Sequence, residues 1–179
     1  GTDEHGQKVE IAAEKHGLEP QLFTDQVSKN FRDLLPALDI SNDDFIRTTE
    51  QRHKVAAQVI WQKLFDNGHI YRDKYSGWYS VRDEAYFTES ELIDGKAPTG
   101  APVSWVEEES YFFNLSNWQD KLLEFYNDNP NFIAPKSRFN EVVSFVKSGL
   151  RDLSISRTSF KWGIEVPGDP SHIMYVWLD

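Results

Sequence analysis

The feature that most restricts this fold is a change of hydrophobic period at His69. Before it, apolar residues recur at helical spacing. After it, aromatic and β-branched residues arrive in short dense runs. Gln7–Lys15 reads as a helix with Gly17 just past its end. Pro20 suits the first turn of a second helix, in which Phe23, Val27, Phe31, Leu34 and Leu35 share a stripe before Pro36 closes it. A third helix is expected over about 49–66, with Val55, Val59, Ile60 and Leu64 as its buried face and Asn67-Gly68 as its stop.

Beyond His69 the expectation is a β-hairpin, with strands at 70–75 and 78–82 around a Ser76-Gly77 turn. Thr88-x-x-Glu91 has the form of a capping box. Residues 94–102 form a Gly/Pro loop, and 103–115 read as a strand rich in aromatics. Ser116-x-x-Gln119 is expected to cap a helix running to about residue 127, and a further helix over 137–147 carries Phe139, Val142, Val143 and Val146 on one stripe until Gly149. The last expected strands are 160–166 and 173–178, joined by Pro167-Gly168-Asp169-Pro170. This order predicts an α/β framework with a small α+β module inserted in it.

The 179 residues are 39% hydrophobic and include twelve Phe, seven Tyr and six Trp, which is enough apolar surface for a folded core. Nineteen basic against 29 acidic residues leave a net charge of −10, which argues against binding nucleic acid through a broad basic face. Absent cysteine excludes a disulfide, a thiol nucleophile and cysteine-ligated zinc. No apolar run reaches the ~18–20 residues of a membrane span, and no secretory leader is recognisable. A soluble intracellular protein is expected. The first residue is Gly1, and the run Tyr175-Val176-Trp177-Leu178-Asp179 resembles an unfinished strand, so the chain is expected to be part of a longer polypeptide.

Several residues could carry chemistry, and each also has a plainer explanation. Asp3, Glu4 and His5 crowd a probable strand end, where open α/β sheets bind ligands. An Asp there could hold an ammonium group, or it could simply cap a helix in a solvated loop. Arg157, in Ser154-Ile155-Ser156-Arg157-Thr158-Ser159, could grip a phosphate or carboxylate, or could be a surface arginine. Trp177 and Tyr175 could wall an apolar pocket or pack in a core. Glu107-Glu108-Glu109 fits a solvated strand edge better than a cation site. The five histidines lack metal-ligand spacing, and Gly77, Gly95 and Gly100 form no phosphate loop.

Taken together, Gly1-Thr2-Asp3-Glu4-His5-Gly6, Asp44-Phe45-Ile46-Arg47-Thr48-Thr49-Glu50 and Tyr75-Ser76-Gly77-Trp78-Tyr79-Ser80 occur in a telling order. They are followed by Val106-Glu107-Glu108-Glu109-Ser110-Tyr111-Phe112-Phe113, Asp152-Leu153-Ser154-Ile155-Ser156-Arg157 and Val176-Trp177-Leu178-Asp179. From end to end the chain resembles the methionyl-tRNA synthetases, a family of class I aminoacyl-tRNA synthetases. The resemblance implies an incomplete Rossmann-like nucleotide-binding fold interrupted by a connective insertion. Residues 1–68 would end its first half, 69–150 would be the insertion, and 151–179 would begin its second half.

By the same resemblance, Asp3 matches the acid that holds the methionine α-ammonium. Trp177 matches an aromatic wall of the methionine pocket, and Arg157 an arginine placed for activation through ATP or the adenylate. Implied partners are methionine, ATP with Mg2+, and tRNA(Met), the last gripped mainly by parts outside this chain, in the cytoplasm. The family's His-Ile-Gly-His and Lys-Met-Ser-Lys-Ser motifs are absent, so the chain alone is expected to be inactive. The cysteine-free insertion resembles the branch without structural zinc. Two other functions compete: a non-catalytic module docking a protein through Trp78, Tyr79 and Trp105, and a synthetase for another apolar amino acid. The methionine reading requires the first and last residues to converge on one cavity.

Overall fold

Helix α1 (Gln7–Lys15) starts after Gly6, whose positive φ of 106° suits glycine, and ends through Gly17, where Leu18 N–H donates to the Ala13 carbonyl. The computed structural model describes residues 1–83 and 85–179, the side chain of Tyr75 excepted. Helix α2 (Pro20–Ala37) has proline at its first position and takes Pro36 into its last turn, one residue short of its end. Helix α3 (Gln51–Asp66) begins two residues later than expected.

The buried faces of α2 and α3 differ from those expected. Ala57 and Trp61 are the buried residues of α3, with Leu64 packed alongside, whereas Val55, Val59 and Ile60 are exposed. In α2 the buried residues are Thr24 and Ser28, while Val27, Phe31 and Leu34 stay open. Periodicity marks an apolar stripe but not which neighbour meets it. Among the described residues Phe23, against His16, and Leu35 are half-buried and Leu64 packs on the core, while the rest of both stripes is largely open. Trp61, 1% exposed, anchors the core with Ile70, Ile155, Ile164, Val166 and Met174.

The expected Ser76-Gly77 turn does not exist. Strand β1 (Ile70–Ser80) runs straight through it, paired antiparallel to a later strand from Ile70↔Phe113 to Tyr79↔Ser104, with Ser76 opposite Glu107 and Gly77 opposite Val106. The turn signal is local, and a long-range ladder of this length outweighs it. Strand β2 (Ala85–Phe87) follows, pairing Ser80↔Ala85. The Thr88 box is present: Thr88 N–H donates to Glu91 Oε2 at 2.7 Å, over a 3-10 turn. Strand β3 (Ser104–Phe113) is β1's long partner. Helix α4 (Gln119–Asp128) emerges from a 3-10 turn at Leu115–Trp118, without a Ser116 side-chain cap, and α5 (Lys136–Lys147) follows.

Strand β4 (Leu153–Ser154) completes a sheet of order β2-β1-β3-β4, so paired backbone crosses the boundary expected at residue 150. Strands β5 (Ser156–Arg157), β6 (Glu165–Val166) and β7 (Asp169–Met174) form a second sheet, β5-β7-β6. Ile155 joins the two sheets: its N–H donates to Tyr111 O and its carbonyl accepts from Tyr175 N–H. The strand expected at 160–166 shrinks to two residues. The one at 173–178 stops at Met174, because Leu178 and Asp179 both return their N–H groups to Tyr175 O. Trp177 therefore lies on a turn.

Gly163 sits against β7, where an added Cβ would come within 2.3 Å of Ile173 Cγ2. Gly163→Ala is expected to cost about 1–3 kcal/mol through overpacking. A lowered urea midpoint would register this, and an unchanged midpoint would refute it.

Candidate functional site

The first strand fragment fixes the first candidate. Thr2 pairs in parallel with Arg47, donating its N–H to Ile46 O and accepting from Thr48 N–H. Beside it, the buried carboxylate of Glu4 receives Arg47 Nε (2.7 Å), Arg47 Nη2 (2.8 Å), Thr49 Oγ1 (2.6 Å) and Thr2 Oγ1 (2.6 Å). Burial alone would raise its pKa, but the Arg47, Thr2 and Thr49 donors outweigh burial and hold it below the usual value. Neither Glu4 nor Arg47 was assigned this work from the sequence. The signal was available only as two short polar motifs far apart in the chain.

Asp3, the residue before Glu4, is the first sequence candidate. Asp3 lines a cleft with His5, Gln7, Tyr79, Phe160, Tyr175 and Asp179. The cleft holds about 390 Å3 of empty space counting what is open to solvent, but its cavity volume is only about 30 Å3, room for a water or two. The Asp3 carboxyl is raised above the ordinary value, by burial first and then by the Asp179 carboxylate, with His5 and His53 opposing. A cation entering here would relieve that strain. The chain's two ends do meet: His5 Nδ1 lies 2.5 Å from Asp179 Oδ2, and Trp162 Nε1 donates to Glu4 O at 2.6 Å.

Arg157 and Trp177 line a different cleft, with Tyr86, Asp152, Leu153, Ser154 and Tyr175. Asp3 does not line it; Tyr175 borders both clefts. Trp177 is 64% exposed, so it is no core residue. Arg157 is the opposite of a surface arginine, at 3% exposure. Its Nη1 donates to Ser154 Oγ and Ser156 O at 2.7 Å each, and its guanidinium carbon stacks 3.7 Å from the Tyr175 ring centre. Its Nε is buried without a hydrogen-bond partner, 3.8 Å from Glu108 Oε1. The pleat explains why Glu108 turns inward while Glu107 and Glu109 stay solvated. Glu108 also accepts from Tyr86 OH (2.8 Å) and Thr158 Oγ1 (3.0 Å). The expected solvated edge thus holds two of the three glutamates.

Of the three rings weighed as a docking face, Tyr79 is buried and walls the Asp3 cleft. Trp78 is half-buried and donates to Glu89, and Trp105 is 55% exposed. Among the described residues no group of three or more His, Asp or Glu is arranged to hold a metal ion, and no helix is long and apolar enough to cross a membrane.

Comparison with known proteins gives these clefts a context. A family model described as tRNA synthetases class I (M) matches residues 1–103 and 99–179. The methionine–tRNA ligase of Rickettsia conorii is 69% identical over all of this chain, which covers 35% of that relative; that of Rhizobium meliloti is 59% identical, with 36% covered. The chain thus spans about a third of the length of the curated relatives it matches. A solved Mycobacterium tuberculosis methionyl-tRNA synthetase in complex with methionyl-adenylate is 54% identical and superposes with a TM-score of 0.92, over 99% of this chain and 36% of that one. The α/β architecture described above is that of a class I synthetase catalytic region with a Rossmann-like fold. With both clefts built from segments that the family model covers without a gap, the chain belongs to the tRNA synthetases class I (M).

Proposed function

We propose that the full-length protein containing this chain is a methionine–tRNA ligase. It would join methionine to ATP, the methionine carboxylate attacking the α-phosphorus as the bond to pyrophosphate breaks. It would then pass methionine to the terminal ribose of tRNA(Met). ATP enters with Mg2+ as substrate, no structural zinc is involved, and the enzyme works in the cytoplasm, with tRNA held mainly outside this chain. The chain alone is inactive. Residues 1–68 and 151–179 belong to the catalytic halves and 69–150 to the insertion.

The observation that carries this reading is the Asp3 cleft in a chain 54% identical to a protein solved with methionyl-adenylate. Asp3 is assigned to the α-ammonium by a charge-assisted bond. Tyr175, which borders both clefts, and the exposed Trp177, which lines the second, are assigned to the thioether, which lies across Tyr175 from Asp3. Arg157 would offer its guanidinium to an ATP or adenylate oxygen entering the second cleft while supporting Tyr175 from behind. Chemistry of this kind needs placement and charge stabilisation, with no covalent enzyme intermediate.

In the full-length enzyme, Asp3→Asn is expected to raise the methionine KM about 10- to 100-fold, the worth of one charged hydrogen bond. Trp177→Ala should raise it about tenfold by removing apolar wall. Pyrophosphate exchange measures both. Unchanged methionine KM in both variants would reject the assignment.

A further inference from the structure

Asp179 is held from two sides. Its Oδ2 meets His5 Nδ1 at 2.5 Å, and its Oδ1 meets His53 Nε2 at 2.7 Å, with the Asp179 side chain only 3% exposed. The three groups come from separate places: His5 from the loop before α1, His53 from the first turn of α3, and Asp179 from the turn after β7. His5 and Asp179 both line the Asp3 cleft, whereas His53 stands behind Asp179 and does not line it. The buried carboxylate thus joins the strand end that carries Asp3 to the turn that carries Tyr175 and Trp177.

From this bridge we infer that His53 is a positioning residue for the amino-acid cleft, latching Asp179 and through it the Tyr175–Trp177 turn against the Asp3 side. The proposal rests on the reading of that cleft as the methionine site. A carboxylate with one oxygen on each imidazole cannot swing without breaking a charge-assisted contact, so the distance between the cleft's two walls is set by a residue outside it. The bond to Nδ1 also fixes the His5 ring, whose Nε2 is buried without a hydrogen-bond partner. Loss of the latch should loosen methionine binding, whereas Arg157, assigned to ATP, keeps its own anchors on Ser154 and Ser156, so ATP recognition should stay intact although Tyr175 and Trp177 border its cleft.

The test uses the full-length enzyme, methionine-dependent pyrophosphate exchange, and separate KM values for methionine and ATP. His53 is a quarter exposed on α3, a place where alanine is tolerated. His53→Ala and the shorter amide His53→Asn are expected to raise the methionine KM about tenfold, the value of one hydrogen bond to a charge, with kcat and the ATP KM kept within about twofold. His53→Gln, whose amide nitrogen reaches about as far as Nε2, should return the methionine KM to within about twofold of the parent. An unchanged methionine KM in the first two variants, a uniform loss of kcat, or no rescue by glutamine would overturn the proposal. So would failure of both to fold, since it gives His53 a local role. Asp3→Asn in the same assay separates the two readings. If it too leaves the methionine KM unchanged, the cleft assignment fails. If it raises KM while His53→Ala does not, the latch alone fails.

Discussion

Glu4→Ala is expected to cost about 3–5 kcal/mol of stability, because it breaks a buried pair and strands the surviving charge. Arg47 would keep only its 2.7 Å contact to Asp25, which lies nearer the surface. Thr49 would lose its acceptor as well, and Thr2 would be left with the 3.4 Å contact to Ser28 Oγ. The bridge between Thr2 and Arg47 would then lose the carboxylate that ties its two sides together, and Asp3 sits directly beyond it. Glu4→Gln keeps the shape and should lose less, about 1.5–3 kcal/mol. Because the folded Glu4 pKa lies below its ordinary value of 4.5, its stabilisation is complete above that value and fades as pH falls through the lowered one. Urea midpoints across the acid range should show Glu4→Ala losing most above pH 4.5 and converging on the parent in acid. A constant difference at every pH would contradict the network.

A comparable loss, about 3–5 kcal/mol, is expected for Arg157→Ala. It removes the ring support under Tyr175 and leaves the inward Glu108 without its nearest cation. Cation–π stacking at a site this dry is itself worth about 2 kcal/mol. Arg157→Met would restore bulk but no charge, so the remaining defect should be electrostatic. Pairing it with Glu108→Gln should therefore recover part of the stability lost by Arg157→Met alone. A double-mutant cycle on urea midpoints gives this coupling directly. Strict additivity would mean that Arg157 and Glu108 do not interact, and an unshifted Arg157→Ala midpoint would deny the buried role altogether.

Helices α1, α2, α3 and α5 were legible because period, proline and glycine signals act within a few residues of each other, and physics at that range is the same in any fold. The long strand β3 was legible for the same reason, as was the Thr88 box. Ser76-Gly77 misled because a turn preference of about a kilocalorie competes with a ten-residue ladder whose partner lies thirty residues away in the chain. The exposed stripes of α2 and α3 misled because an apolar face states that something should cover it without saying what.

Sequence alone determined the helices and the α/β order, and it singled out Asp3, Arg157 and Trp177 as candidates because their neighbours in the chain make recognisable motifs. Tertiary structure alone decided that Asp3 and Trp177 face separate clefts across Tyr175, that Arg157 and Glu4 are buried, and that His53 reaches Asp179 over 126 positions. The reason is range: a motif is written in adjacent residues, whereas a hydrogen bond or a wall is set by where distant segments come to rest.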